Sequence, residues 1–174
     1  EILVDGEGVE RVLLTTKAPL LSTDGAVDQV VTVSLDITER KVGERKLQES
    51  EQRFRNLIES SVLGIVIARN GKPLFANRKY AAIFGYESAE DILALDTLDH
   101  LYAPPELERI RQFRQARLKG ERAPTGYEFQ GVRKDGTLLW AETRVQEVVW
   151  QGEIATQSTL TDITLRKEYE EQLH

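Results

Sequence analysis

Carboxylates, hydroxyls and two histidines are the side chains of this sequence that could take part in chemistry. Cysteine is absent, which excludes disulfides, thiolate metal sites and cysteine nucleophiles. Carboxylates are abundant, but none is spaced with a histidine, lysine or serine in a catalytic pattern; Glu90-Asp91 and Glu170-Glu171 are typical of helix surfaces. His100 stands alone, without other residues that would complete a metal site. The sequence therefore predicts neither an enzyme nor a metal site.

Three hydroxyl side chains are predicted to meet inside the fold. In residues 138–145, one alternating set of positions includes the charged Glu142 and Arg144, whereas the other set, which includes Thr143, carries no charge and is predicted to face inward. The same alternation turns Thr156 and Ser158 inward. A buried hydroxyl without a partner costs about 1–3 kcal/mol, so these groups are expected either to bond to backbone and water or to bind a ligand. The residues predicted to surround such a pocket are Asn77, Tyr127, Phe129, Ala141, Thr143, Thr156, Ser158 and Leu160.

A motif of aspartate, isoleucine and threonine occurs twice. The stretch DITERKVGERKLQ at residues 36–48 is echoed by DITLRKEYEEQL at residues 162–173. Two copies this far apart exceed the period of a solenoid repeat and match one small domain plus a connector. Asp36 and Glu39 have the spacing of a capping box at a helix start, whereas the second copy has Leu165 in the place of the glutamate. We therefore expect the motif to mark the end of a domain.

Strands and helices alternate in an order typical of an α+β protein. Short Val, Leu and Thr runs near residues 1–4, 9–20 and 27–35, separated by Asp5-Gly6 and Asp24-Gly25, predict three antiparallel strands. A charged helix follows. Residues 64–76 then predict two strands joined by a turn at Asn70-Gly71, with several helices and three more strands beyond it. The longest of these helices begins at Pro104-Pro105 and is predicted to pack through Ile110, Phe113 and Leu118.

The charged helix carries a weak heptad pattern. Gly43, Leu47, Ser50, Phe54 and Leu57 are spaced by 4, 3, 4 and 3 residues, as in the seam of a two-stranded coiled coil, but only three of them are apolar. The pattern predicts a homodimer through Leu47, Phe54 and Leu57. The alternative, a solvated linker helix without a partner, stays open.

Charge and composition restrict the possible partners. The net charge of -6 is unlike the basic footprint of a nucleic-acid binder. No apolar run approaches the roughly 18 residues that a membrane span requires, and no leader peptide is evident, so a cytoplasmic location is expected. Trp140 is predicted to point outward together with Glu142 and Arg144, which makes it a candidate for an association surface.

The sequence resembles a PAS domain followed by its terminal motif. The resemblance rests on Asn77, the triplet at residues 84–86, the stretch RKDGTLLW at 133–140 and DITLRK at 162–167. It implies a five-stranded antiparallel sheet with helices on one face, preceded by a partial PAS sheet and a linker helix. The implied segments are a truncated PAS domain at 1–38, a linker helix at 39–60, a complete PAS domain at 61–164 and an outgoing helix at 165–174.

The resemblance also implies a function. In similar proteins, the aspartate and threonine of the terminal motif tie the last strand to the outgoing helix; here these residues are Asp36, Thr38, Asp162 and Thr164. We therefore expect a sensory module of a bacterial histidine kinase or diguanylate cyclase, without catalysis of its own. The alternative is a dimerisation scaffold that binds no ligand.

Known cofactors of the family narrow the choice of ligand. Members that form a flavin adduct or carry a thioester-linked chromophore need a cysteine, which this chain lacks. Members that bind haem use a histidine of the long helix, and residues 106–119 contain none. A non-covalent flavin or another small molecule remains possible, and no metal is expected.

Overall fold

The computed structural model describes residues 1–4, 6 and 8–173. The chain divides into two compact units, Glu1–Arg55 and Asn56–His174. The turn predicted at Asp5-Gly6 includes Asp5, which lies outside the described residues.

The first unit contains an antiparallel sheet of three strands. Strands β1 (Ile2–Val4), β2 (Glu10–Leu21) and β3 (Val27–Asp36) lie in that order, and helix α1 (Thr38–Glu59) begins two residues after β3 ends. The predicted strands and the charged helix are confirmed to within one or two residues at most ends. Leu14 pairs with Leu35 and Thr16 with Val33 across β2 and β3. All four side chains are exposed.

The second unit contains the five-stranded antiparallel sheet that the sequence predicts. Its strands are β4 (Gly64–Arg69), β5 (Lys72–Ala76), β6 (Gly126–Val132), β7 (Leu138–Trp150) and β8 (Glu153–Asp162), in the order β5-β4-β8-β7-β6. Between β5 and β6 lie α2 (Arg78–Ile83), α3 (Ala89–Leu93), a 3-10 helix (Leu98–Leu101) and α4 (Pro104–Leu118). Helix α5 (Thr164–Gln172) follows β8.

The turn between β4 and β5 has the backbone conformation that its residues favour. Asn70 and Gly71 have φ values of 52° and 81°, as a two-residue hairpin turn of type I′ requires. Strand β4 is paired with β5 on one side and with β8, the central strand, on the other. This arrangement brings the end of β4 close to α4, where Arg114 approaches Gly71.

The core lies between the helices and one face of the sheet. On β7, Leu139, Ala141, Thr143 and Val145 are all buried, as the alternation predicts, while Glu142 and Arg144 are exposed. Phe84 after α2 and Phe129 on β6 are among the largest fully buried side chains. Burial of an aromatic side chain of this kind stabilises the fold by about 1.5–3 kcal/mol.

Candidate functional site

The second copy of the aspartate-isoleucine-threonine motif joins β8 to α5 through a defined set of hydrogen bonds. The amide of Ile163 donates to the carbonyl of Trp140 at 2.8 Å, and the amide of Trp140 donates to Oγ1 of Thr164 at 3.0 Å. Thr164 in turn donates its own amide and hydroxyl to Oδ1 of Asp162, at 2.9 and 2.6 Å. We call this set of bonds the strand-helix junction.

The first copy forms the same junction between β3 and α1. The amide of Ile37 donates to the carbonyl of Val12 at 2.8 Å, and the amide of Val12 donates to Oγ1 of Thr38 at 2.8 Å. The amide and hydroxyl of Thr38 donate to Oδ1 of Asp36 at 2.9 and 2.6 Å. All four bonds therefore recur at equivalent positions of the two units.

The residue types of the motif explain this geometry. In each junction the threonine hydroxyl accepts the bond that a strand carbonyl would otherwise accept, so the ladder continues one position past the end of the strand. A hydroxyl can accept that bond while donating its own proton to the aspartate, which no apolar side chain of similar size can do. The strand end and the helix start are consequently joined by the same side chain.

The predicted capping box at Asp36 is wrong. Helix α1 begins at Thr38, and its first intrahelical bond runs from the amide of Lys41 to the carbonyl of Ile37, so Ile37 is the residue at the cap. Asp36 lies one position earlier and accepts from Thr38. The carboxylate of Asp36 bonds to Thr38, two positions ahead, instead of capping the helix. Such local bonds are common for aspartate.

An arginine contacts the second carboxylate oxygen of each aspartate. Nη1 of Arg11 lies 3.0 Å from Oδ2 of Asp36, and Nη2 of Arg133 lies 2.8 Å from Oδ2 of Asp162. Arg133 also donates through Nη1 to the carbonyl of Ile83, at the end of α2. It thereby connects the helical layer to the start of α5. Arg133 lies within the stretch RKDGTLLW, but local spacing in the sequence does not indicate its distant partners and so predicts no role for it.

These contacts lower the pKa of both aspartates. The hydroxyl and amide of Thr38, with Arg11, lower the pKa of Asp36 to about 2. Burial raises the pKa of Asp162, but the bonds from Thr164 and Arg133 outweigh it and hold that pKa below its usual value. Both junctions therefore contain an ionised carboxylate at neutral pH.

Helix α5 is held on the outer face of the sheet by charged contacts. Glu128 on β6 pairs with Arg166 and Lys167, with 2.6 Å between the charged atoms of each pair. The ammonium of Lys167 lies 5.3 Å from the ring centre of Trp140. Trp140, a predicted interface residue, is thus partly covered by the outgoing helix of its own unit. The equivalent Arg40 and Lys41 of α1 pair instead with Glu44 on the same helix.

Asn77 lies at the centre of a different network. It is fully buried, and its Oδ1 accepts from the amides of Ile65 at 2.8 Å and Tyr80 at 2.9 Å. Its Nδ2 donates to the carbonyls of Ile58 and Leu63, both at 3.0 Å. The amide thus connects the end of α1, the start of β4 and the first turn of α2. Asn77, predicted near the pocket, forms a structural crosslink in this arrangement.

The remaining predicted pocket residues, apart from the buried Thr143, divide into two groups. Tyr127, Thr156 and Ser158 border a cavity of about 40 Å³ between α4 and the sheet. Phe129, Ala141 and Leu160 are buried in the hydrophobic core. Two of the three hydroxyls bond to backbone, since Thr143 donates to the carbonyl of Thr159 and Thr156 to that of Ala68, both at 3.1 Å.

The size of this cavity restricts what it holds in the present conformation. A volume of about 40 Å³ exceeds the roughly 10–15 Å³ that a water molecule needs. It is far below the roughly 300–1,000 Å³ of pockets for drug-sized ligands. A flavin would therefore require the helices to move away from the sheet. In residues 1–4, 6 and 8–173, no three His, Cys, Asp or Glu side chains are grouped as metal ligands.

The predicted interface residues of α1 are exposed. Leu47, Phe54 and Leu57 expose 62%, 60% and 66% of their surface. Across the part of the chain that the structure describes, no helix has both the length and the apolar character needed to cross a lipid bilayer. His100 contacts Asp96 at 2.8 Å, close to the surface.

Comparisons with known proteins indicate the same fold and the same family. Residues 52–117 match the family model described as PAS domain. Sporulation kinase A of Bacillus subtilis is 28% identical over 141 residues, which cover 79% of this chain but only 22% of the kinase. The PAS domain of an HTR-like protein from Haloarcula marismortui superposes with a TM-score of 0.57 and 22% identity, over 71% of this chain and 99% of that one.

A second solved structure has the same fold. It is a PAS domain from a two-component sensor histidine kinase, with a TM-score of 0.52 and 17% identity, over 66% of this chain and 98% of that one. At this level of identity, the structural matches establish the fold alone. The chain spans about a fifth of the length of Sporulation kinase A, since the match covers 22% of that kinase.

Proposed function

The chain contains a PAS domain, and we propose that it is a sensory module that passes a ligand-driven or conformational change through its outgoing helix to an effector domain. The similarity to Sporulation kinase A favours a histidine kinase as the effector; a diguanylate cyclase is the other candidate. The proposal assigns no reaction to this chain and includes a cytoplasmic location.

The strand-helix junction is the observation that carries the proposal. Asp162, Thr164 and Trp140 connect the last strand and its neighbour directly to the first turn of α5. A shift of β8 relative to β7 changes the bonds at the start of the helix, because the hydroxyl of Thr164 bonds both to Trp140 on β7 and to Asp162 on β8. A signal need bias such a two-state element by only a few kcal/mol to alter an output.

Arg133 supplies a route from the helical layer to the same junction. It bonds to the carbonyl of Ile83, the last residue of α2, and to the carboxylate of Asp162. In addition, the amide of Lys134 donates to the carbonyl of Phe84 at 2.8 Å. Movement of α2 caused by a ligand in the core would therefore act on Asp162 through two adjacent residues of the β6–β7 turn.

Replacement of Asp162 tests the proposal, and the chain offers a matched control. Asp135 makes the same local bonds, since the amide and hydroxyl of Thr137 donate to its Oδ1 at 2.9 and 2.7 Å, but it lies in a turn that no helix follows. Asp162→Asn should increase amide hydrogen exchange in Thr164–Gln172 and leave the protection of β4, β7 and β8 unchanged. Asp135→Asn should leave α5 unchanged.

Two other results would count against the proposal. If Asp162→Asn loosens the whole sheet as much as α5, the motif serves folding rather than transmission. If neither variant affects α5, the junction does not hold the helix. In the parent protein, Asp162→Asn should also change the activity of the effector domain, whereas Asp135→Asn should not.

The first unit is proposed to be the end of a second PAS domain. Its three strands have the order β1-β2-β3, like the order β6-β7-β8 of the complete sheet, and its last strand ends in the same junction. Residues 1–38 would then be the last three strands of that domain, residues 39–60 the linker, residues 61–164 the complete domain, and residues 165–174 the outgoing helix.

A dimerisation scaffold that binds no ligand is the second candidate function. The exposed Leu47 and Phe54 on α1 favour it, because they lie at seam positions of the predicted heptad. Phe54→Glu should convert a dimer into a monomer in light-scattering measurements, while Gln48→Glu at an exposed position off the predicted seam should not. Dimers that persist in Phe54→Glu would exclude this seam.

A further inference from the structure

The inner side of α4 carries two arginines where the sequence predicts an apolar residue. Ile110 is buried as predicted, but Leu118 is 65% exposed. Arg114 and Arg117 are both partly buried and lie four and seven positions after Ile110, on the same face of the helix. A guanidinium turned toward a sheet loses hydration, so it is expected to have partners there.

The partners of these two arginines leave positive charge in excess. Nη2 of Arg114 lies 2.9 Å from Oδ1 of Asp99, but the other oxygen of Asp99 lies 2.9 Å from Nε of Arg111. One carboxylate thus serves two guanidinium groups. Arg117 bonds to the carbonyl of Pro124, a neutral group. In the described ranges, no carboxylate forms an ion pair with Arg117.

A recess of about 180 Å³ opens beside these arginines. It adjoins the smaller cavity of about 40 Å³, and both are bordered by Ala68, Arg114, Arg117 and Thr156. Ile154 and Leu118 add apolar surface to its outer part. The recess is therefore cationic at the end nearest the core and largely apolar toward the outside.

Two charged residues at the rim do not cancel this polarity. Arg69 is paired with Glu153 at 2.6 Å and so adds little net charge. Glu147 also borders the recess, but it is exposed to solvent, where its field is screened. The uncompensated charge thus lies with Arg114 and Arg117.

The backbone leaves room for this arrangement of the arginines. A Cβ at Gly71, in the β4–β5 turn, would lie 2.6 Å from Nη1 of Arg114, and Gly71 has a φ of +81°. Only glycine satisfies both conditions without strain. The hairpin turn therefore lets Arg114 lie directly over the end of β4.

We propose that this recess binds a small carboxylate with a short hydrocarbon body. Arg114 and Arg117 bind the carboxylate, and the hydrocarbon packs on Ala68 and Ile154. Arginine suits this role because its planar group donates paired, charge-assisted hydrogen bonds to a carboxylate. This inference gives the ligand class for the sensory function proposed above and rests on it.

Titration of the whole chain with hexanoate tests the inference. Saturable shifts of the amide resonances of α4, β4 and β8 should appear with hexanoate and be missing with the neutral hexanamide. Arg117→Gln should weaken hexanoate binding by about tenfold or more, as expected for loss of a charged hydrogen bond. The matched control is Arg111→Gln, three residues before Arg114 on the same helix and also bonded to Asp99, but outside the recess; it should change the affinity by less than about twofold.

Each alternative result is decisive. No saturable shift with hexanoate, or equal binding by Arg117→Gln, overturns the proposed site. Binding of inorganic phosphate as tight as that of hexanoate overturns the ligand class, because phosphate makes no use of the apolar wall. If hexanoate binds but the resonances of Thr164–Gln172 do not move, the site stands and the proposed transmission to α5 fails. If hexanoate does not bind but Asp162→Asn still loosens α5, the transmission stands and the ligand class fails.

Discussion

Arg133 and Asp162 form an ion pair, with 2.8 Å between Nη2 and Oδ2, that joins the β6–β7 turn to the last residue of β8, just before α5. The same guanidinium bonds to the carbonyl of Ile83. Three elements that are distant in sequence therefore meet at one side chain. A lysine at this position could not replace the arginine, because the planar guanidinium donates hydrogen bonds in two directions at once.

Arg133→Gln should loosen α5 more than it lowers stability. Both partners are partly exposed, at 25% and 32%, so loss of the ion pair should cost about 1 kcal/mol or less. Hydrogen exchange at residues 164–167 should increase, because Asp162 loses the contact that orients it. The control is Arg144→Gln on the exposed face of β7, which should leave α5 unchanged. Unchanged exchange in Arg133→Gln would show that Thr164 alone orients the aspartate.

Asn77→Ala should be strongly destabilising. The substitution removes four hydrogen bonds and leaves the amides of Ile65 and Tyr80 without acceptors in a fully buried site. A buried unsatisfied donor costs about 1–3 kcal/mol, so we expect a loss of about 2–4 kcal/mol in the free energy of unfolding, measured with urea. Ser88→Ala, which removes a single helix cap on α3, should cost about 1 kcal/mol. Equal losses would mean that the network around Asn77 is replaced by water.

Protonation of Asp36 should weaken the first junction only in strong acid. The carboxyl pKa is about 2, below the ordinary 3.8, so folding favours the ionised form. The stabilisation is fully present above the ordinary value and is lost as the pH falls through the folded value. The carboxyl carbon resonance should therefore titrate with a midpoint near 2. Thr38→Val should move the midpoint toward 3.8, because it removes the hydroxyl that is the largest cause of the shift. A midpoint near 3.8 in the unmodified chain would contradict the geometry of the junction.

Glu128→Gln should release the charged side of α5 from the sheet. Glu128 pairs with Arg166 and Lys167, and Lys167 lies over Trp140. These groups are largely accessible to solvent, so each ion pair is weak and is weakened further by salt. We expect faster hydrogen exchange in α5 and a shift in the tryptophan fluorescence.

Glu142→Gln is the matched control for this prediction. Glu142 lies directly opposite Glu128 on the neighbouring strand and is exposed. Its replacement should leave α5 in place. If both variants release α5 equally, net charge on the sheet face holds the helix, rather than the two ion pairs.

The elements of this chain follow closely from local patterns. Asn70 and Gly71 predict their turn because both positions require a positive φ. Alternation along β7 predicts the buried Ala141 and Thr143, since successive side chains point to opposite faces. The repeated motif also marks the two places where a strand passes into a helix. These features depend only on neighbours within a few residues.

The partners of these residues depend on contacts between distant elements. Sequence spacing predicted a capping box at Asp36, but the hydroxyl of Thr38 and the guanidinium of Arg11 compete for the same carboxylate. Likewise, periodicity predicts that Leu118 is inside, whereas the end of β4 and the start of β8 leave an open recess there and Arg117 is partly buried instead.

The sequence by itself thus determined the order of strands and helices, the pleat of β7 and the position of both junctions, because local dihedral preferences and side-chain periodicity act over short stretches. Tertiary structure alone decided that Asn77 crosslinks three elements, that Arg133 reaches Asp162, and that two arginines border a recess. Such contacts join residues far apart in the chain, and which of several chemically suitable partners is chosen depends on how the helices pack on the sheet.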